Sequence, residues 1–582
     1  MKLILSQYLR TLRERDEFDR LLPELLFEMG YVTLAKPQTG PRQWGVDFAA
    51  VGKSDKDGAD EILLFVLKQG DIGRTEWHGN NNAVRQSLEE VLDGYLGSHV
   101  PPQYQSFRKV IIVATTGDLK QDTLLNWKGF ITQHAHRAMF EFWSGDKVAE
   151  LLEKHLLDEH LFDAEDRSDL RKSLALAADS DYRFQDLSRL LLRQLGLTKA
   201  GALSEAGQLQ NTKSLQKALR RVHLAASICA YWADADGERC QALWVSERTI
   251  LWVWHRLQLH AKAEQQHLYE DIGAIWVTYQ GAANRYYEAI LDHVNIRDGL
   301  AGYCRESAEY SVVLFEHIGL LASVGLTQAI ALLPDDSQQV LNENALAVAN
   351  ALETLIANHS ASGSPRLDRN AIDISLALSL LVLTNRSERA KQWLQDLAFR
   401  LDFTFKMGRL FPVGSDSLDD LVELDVNGDV EVRDEQMRTS WMLATVAAWC
   451  ALLHADASYG LLASGRFKDY PNVGAQLWHP TTDWPKSWYF GPGYIEGGES
   501  EAPFDMPPLA DDLRQRVARF QEIERFKWIE HSQSLPAGIW ALDFLACRHF
   551  RTPVPAAFWY RLGKAHDNVG AQTIDSAEGP NK

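Results

Sequence analysis

The 582-residue sequence is poor in cysteine, and none of its five cysteines forms a CxxC pair. Cys229, Cys240, Cys304, Cys450 and Cys547 are scattered and odd in number. That argues against a disulfide framework and a cysteine-based zinc site, and it suits a reducing cytoplasm. No GxxxxGK[ST] loop occurs, so an intrinsic NTPase is not expected. No uninterrupted apolar run reaches about 18 residues, so no membrane-spanning helix is expected. The opening "MKLILSQYLRTLRERDEF" is too short in apolar residues, and too soon charged, for a signal peptide. No fixed repeat period survives counting, which disfavours a regular solenoid. Basic charge is also in deficit, with a net charge of −19. Residues 1–155 hold 19 Lys and Arg against 22 Asp and Glu, a net of −3, so −16 falls on residues 156–582. An acidic surface repels nucleic acid at long range. Any DNA contact must therefore be local or gated, and the N-terminal part is the less hostile place for it.

What is present is a change of pattern near residue 157. Residues 10–30 place Phe18, Leu21, Leu22, Leu25 and Leu26 at helical spacing, with Pro23 inside and Gly30 as a stop. "YVTLAK", "GVDFAAVG" and "EILLFVLKQG" read as strands, the last two joined by the polar turn "KSDKDGAD". "NNAVRQSLEEVLDGYLG" is helical. "RKVIIVATTG" is a buried strand, residues 119–137 a helix, "AMFEFWSG" a strand and "DKVAELLEKHLL" a helix. The order α-β-β-β-α-β-α-β-α predicts an α/β sandwich with a mixed sheet over residues 1–157. A charged connector is expected over 158–184, a mainly helical region over 185–565 and a disordered tail over 566–582. Within the helical region, "LVELDVNGDVEVRDE" reads as a hairpin turning at Asn427-Gly428 rather than a calcium loop on Asp425, Asn427 and Asp429. Residues 471–500 are rich in Trp, Pro and Gly and read as irregular.

The chemistry centres on "WGVDFAAVGKSDKDGADEILLFVLKQG". Asp47 opens one apolar run and Lys68 ends the next, so a hairpin brings them near each other. A carboxylate at a strand end can hold Mg²⁺, which prefers oxygen ligands and keeps several waters. A lysine beside it can orient a water and offset charge on a phosphate. Asp19, on the first helix, is the candidate second acid.

The set "EFDRLLPELLFEMGY", "GVD" and an apolar strand ending in lysine resembles the Mrr-type branch of the restriction-endonuclease-like PD-(D/E)XK superfamily. "KVIIVATTGDL" and "FEFWSGDKVAELLEKH" resemble its later strand and closing helix. The resemblance spans residues 10–157. It implies a catalytic set of Asp19, Asp47 and Lys68, with Asp47 and Asp19 holding Mg²⁺ or Mn²⁺. One position departs from the family pattern: Val66 stands two residues before the lysine, where the family places Glu or Gln. Glu61 lies about 23 Å away along an extended strand and Asp71 has the wrong parity, so neither replaces it.

The expected function is a metal-dependent DNA endonuclease. By resemblance it is a cytoplasmic prokaryotic restriction or phage-defence effector whose helical domain controls the nuclease, binds a protein partner or self-associates. The alternative is a catalytically inactive nuclease-fold module used as a binding or assembly scaffold. No membrane partner is expected. Elsewhere, Trp478, Trp484, Trp488 and Tyr494 are candidates for stacking on a flat ligand, against the simpler reading that they plug loops onto a helical core. His134 and His136 in "QHAHR" do not share a helix face and read as structural.

Overall fold

In the computed structural model the described residues are 6–559 apart from 7–8, 11, 13–17, 36–43, 55, 80–82, 156–162, 178, 180–181, 330–342, 410–411, 428–434, 437, 492–497, 521, 533 and 535–538. The chain divides into two compact units. One comprises Met1–Gln194 with Arg220–Gly237, the other Leu195–Leu219 with Glu238–Lys582.

The first unit contains the expected order: α1 (Asp19–Glu28), β1 (Val32–Ala35), β2 (Phe48–Lys53), β3 (Asp60–Lys68), α2 (Arg74–His78), α3 (Val84–Glu90), β4 (Arg108–Thr115), α4 (Gln121–His134), β5 (Met139–Trp143) and α5 (Gly145–His155). The five strands form one sheet in the order β1-β2-β3-β4-β5. β1, β2 and β3 are antiparallel neighbours, and β3, β4 and β5 are parallel. Parallel strands are covered on both faces and so read as continuous apolar runs, and "ILLFVL" in β3 is buried throughout. One face presents Ile62, Leu64 and Val66, with Ile111 and Val113 of β4, to a cluster holding Trp77, Leu88, Trp127 and Phe130 from α2, α3 and α4. Phe65, of opposite parity, stacks on Phe48 at 4.5 Å and meets Trp143 edge-on at 5.3 Å.

Within the expected 158–184 connector the described residues include a helix. It runs Ala164–Ala175, capped by the Asp163 carboxylate, which accepts the Glu165 and Asp166 amides at 3.0 and 2.8 Å. Asp166 and Asp169 face inward. Arg193 pairs with Asp166 at 2.6 Å and with Asp169 at 2.5 Å, and Arg189 pairs with Asp169 at 3.0 Å.

The second unit is mainly helical, as expected. Helices Asn370–Leu383 and Trp441–Leu452 are apolar nearly all round and form its centre. Asp368 caps the latter from outside, accepting the Ser440 hydroxyl at 2.7 Å and the Trp441 and Met442 amides at 2.6 and 3.0 Å. The expected hairpin at Asn427-Gly428 is overturned. Leu418–Asn427 is a helix, because Leu418, Leu421 and Leu424 recur every third residue and pack with Leu367 and Val413; Gly428 lies outside the described residues. The 566–582 tail also lies outside them. Among the described residues one helix, Ser307–Gln328, is long and apolar enough on average to cross a membrane, but 78% of its apolar window is buried, as in a core helix.

Candidate functional site

Ligands of open α/β sheets bind beyond the carboxyl ends of the parallel strands. Here that edge is where β3 ends at Lys68 and β4 at Thr115, which pair in register. β2 runs antiparallel to β3, so its start, just after Asp47, lies at the same edge. Two neighbours fix this approach. At Gly45 (φ 78°) an added Cβ would sit 2.2 Å from the Ser87 carbonyl oxygen, so only glycine fits there. The Trp44 ring lies against Gly94 and 5.7 Å from the His99 ring.

Asp47 is held on both sides. Its amide donates to the Phe65 carbonyl at 2.8 Å, and its carboxylate accepts the Leu67 amide at 2.6 Å. It therefore sits against the last residues of β3, beside Lys68. Lys68 is half-buried, and its ammonium makes no hydrogen bond or ion pair among the described residues. Asp19 reaches this edge by a different route. Ser6 donates to Asp146 at 2.7 Å, and Arg10 pairs with Asp118 at 3.2 Å, both at the carboxyl edge. Beyond α1, the Tyr31 hydroxyl donates to Glu61 at the opposite edge, 2.7 Å away. α1 thus runs from the carboxyl edge to the amino edge, and its first-turn Asp19 lies on the Lys68 side.

The other acids are committed elsewhere. Glu61 accepts from Tyr31 and from Arg108, at 3.0 and 2.6 Å, on the far edge. Asp71 accepts the Asp118 amide at 3.0 Å in a tight loop crossing, where a Cβ on Gly117 would sit 2.5 Å from the Asp71 carboxylate. Val66 is fully buried in the apolar cluster of its face. Among the described residues there is no group of three or more His, Cys, Asp or Glu that could hold a metal. The acids on this side of the sheet are Asp47, held at the end of β3, and Asp19, in the first turn of α1. A hydrated Mg²⁺ takes one or two acids and keeps several waters, so Asp47, with or without Asp19, is the chemistry such an ion would need.

In the second unit the stacking candidates must be corrected. Trp478, Trp484 and Trp488 are buried, with Trp478 and Trp484 at 5.1 Å and Trp488 and Trp528 at 4.9 Å, so their faces are spent on each other. Tyr494 lies outside the described residues. The cavities beside this aromatic core are each no larger than a water molecule or two.

Sequence reading missed two buried polar clusters because their members are far apart in the chain. The His549 imidazole bridges the Glu247 carboxylate, at 3.0 Å from Nδ1, and Arg248, whose Nε donates to Nε2 at 2.9 Å. Arg248 also lies 4.2 Å above the Trp244 ring. A hydrolytic dyad would offer Nε2 to a hydroxyl or thiol; here an arginine takes it, so the cluster is structural. Asp543 accepts the Ser534 and Tyr489 hydroxyls, and burial pushes its carboxyl up to about 7.

Comparison with family models, with curated proteins and with solved structures finds no match to this chain.

Proposed function

We propose that the first unit is a metal-dependent phosphodiesterase, an endodeoxyribonuclease of the PD-(D/E)XK type, with Asp47, Asp19 and Lys68 as its working side chains. The observation that supports this reading most is the placement of Asp47, which is clamped to the end of β3 next to Lys68 at the edge where the first helix also begins. Lys68, with no carboxylate partner among the described residues, keeps its ammonium for a phosphate oxygen or an attacking water. The Leu67 amide fixes the Asp47 carboxylate at the end of β3. A bound Mg²⁺ or Mn²⁺ would supply Lewis-acid polarisation and an activated water. The five free cysteines fit a cytoplasmic enzyme. The −16 charge outside residues 1–155 fits a restriction or defence effector held off bulk DNA until its helical unit is engaged.

The test uses the full chain with supercoiled plasmid and Mg²⁺ or Mn²⁺, beside Asp47→Asn and Lys68→Ala. Metal-dependent nicking or linearisation lost in both variants supports the reading. Cutting that survives in both overturns the assignment.

A second reading, a non-catalytic nuclease-fold scaffold, is favoured by one observation: Val66, at the position the family fills with Glu or Gln, is buried among apolar side chains. Calorimetric titration with Mn²⁺ separates the two. Binding that Asp47→Asn abolishes favours the enzyme, and no binding by any form favours the scaffold.

A further inference from the structure

A row of three aromatic rings lies in the first unit beside the approach to Asp47. The Tyr95 and His99 rings stack at 5.9 Å, inclined by 25°, and His99 meets Trp44 at 5.7 Å and 45°. His99 is exposed, and Tyr95 and Trp44 are half-buried. This separates the row from Trp478, Trp484 and Trp488 of the second unit, whose rings are buried. Two backbone features hold it. Trp44 takes the left-handed conformation (φ 51°), which a bulky side chain rarely adopts. Gly94 lies in a π-helical turn, Val91–Tyr95, that follows α3, and a Cβ there would collide with the Trp44 ring. Unusual backbone of both kinds concentrates at functional sites.

The row is on the Lys68 side of the sheet. Lys68 shares the parity of Val66, which faces the cluster holding Leu88, Val91 and Leu92, and Tyr95 packs against that same cluster. Trp44 precedes Asp47 by three residues, so their Cα atoms lie at most about 11 Å apart. A strand with a phosphate between Asp47 and Lys68 thus has a neighbouring base within reach of the row. A surplus of cations does not hold that strand, because residues 1–155 have a net charge of −3. Duplex DNA carries one negative charge per about 1.7 Å, and one strand alone carries one per about 3.4 Å, so a single strand is the less repelled of the two.

We infer that Tyr95, His99 and Trp44 form a stacking ledge for an unpaired base, so that the substrate of the proposed phosphodiesterase is single-stranded or locally unpaired DNA. Bases stack on such rings whatever their sequence, because every base has a π-face. In a paired duplex those faces are covered by the neighbouring base pairs. His99, the exposed ring, is the one a base reaches from solvent. The ledge supplies affinity and register, and the edge at Asp47 and Lys68 acts on the backbone beside it. The inference rests on the phosphodiesterase reading for the reaction, but not for the binding.

The test measures binding of the full chain to three fluorescein-labelled DNA probes of about 20 nucleotides by fluorescence anisotropy, in EDTA so that nothing is cut. The probes are a mixed-sequence single strand, its duplex, and an abasic strand of the same length. The single strand should bind about tenfold tighter than either of the others. His99→Ala and Trp44→Leu should each weaken strand binding about fivefold or more, the contribution of one stacked base, and leave duplex binding unchanged. Circular dichroism of His99→Ala should match wild type, because His99 is exposed. The abasic probe needs no variant at all. Four results overturn the inference: no measurable strand binding, duplex binding as tight as the strand's, abasic binding equal to the normal strand's, or both variants binding the strand as wild type does. Plasmid cutting that Asp47→Asn abolishes, together with any of these, leaves the phosphodiesterase standing and removes the ledge. Tight strand binding that both variants weaken, with no metal-dependent cutting, does the reverse.

Discussion

The Asp47 carboxylate accepts the Leu67 amide at 2.6 Å, tying the start of β2 to the end of β3 next to Lys68. The bond gives Asp47 a structural role, separable from the chemical one that the phosphodiesterase reading assigns it. Asp47→Ala strands a buried amide, and such a loss costs about 1–3 kcal/mol. Asp47→Asn keeps an acceptor for Leu67 but removes the charge. Urea unfolding should therefore rank Asn near wild type and Ala clearly below it, while plasmid cutting is lost in both. Equal destabilisation by the two would mean that the charge, not the acceptor, holds this edge.

Val66 tests whether the catalytic pattern has merely lost a ligand. It lies fully buried in the cluster with Ile62, Leu64, Trp77 and Leu88. A carboxylate placed there loses its hydration without a partner, a cost of about 3 kcal/mol or more. Val66→Glu should lower the melting temperature by several degrees and leave metal affinity and cutting no better than wild type. An unchanged melting temperature with tighter Mn²⁺ binding would instead show that this side chain reaches the metal.

The first unit was legible because its signals are local. "RKVIIVAT" and "ILLFVL" are long enough, and branched enough, to be buried parallel strands wherever they fall, and the polar turn before Asp60 leaves one connection. The segment before Gln185 was not legible. Asp166 and Asp169 look like solvated charges until Arg189 and Arg193, some twenty residues on, turn toward them. Likewise "LVELDVNG" carries an Asn-Gly hairpin signal, but Leu418, Leu421 and Leu424 find Val413 and Leu367, and tertiary burial overrides the turn. At the candidate site, residue order singled out Asp47 and Lys68, and the pairing of β2 with β3 brings them to one edge. The Leu67 amide that positions Asp47 is backbone, and no side-chain pattern announces it.

Glu61 shows that an acid on the same strand can be purely structural. It is buried and binds the Tyr31 hydroxyl at 2.7 Å and Arg108 at 2.6 Å, while Arg108 also pairs with Asp57. Glu61→Ala leaves the buried Tyr31 hydroxyl and part of Arg108 without their acceptor, a loss of about 1–3 kcal/mol. Cutting per folded molecule should be unchanged, because Glu61 lies at the edge away from Lys68. A fall in cutting at full fold occupancy, read by circular dichroism, would contradict that placement.

Two buried groups of the second unit give pH dependences of opposite sign. Burial pushes Asp543 up to about 7, against about 4 for an unfolded aspartate. Between these values the folded chain holds a proton that the unfolded chain has released. The stability from this group is present below about pH 4 and drains as pH rises toward 7, by at most about 1.4 kcal/mol per pH unit. His317 is the reverse. Burial and the nearby His293 and His359 push it down to about 4, and its Nδ1 lies 2.7 Å from the Tyr286 hydroxyl. The unfolded imidazole takes up a proton below about pH 6.5, so stability from His317 is present above that and lost as pH falls toward 4. Urea midpoints at pH 5, 6, 7 and 8 should therefore show Asp543→Asn gaining on wild type as pH rises from 5 to 7. His317→Gln should gain on wild type as pH falls from 7 to 5. Curves that run parallel to wild type across this range would mean that neither group titrates differently in the folded chain.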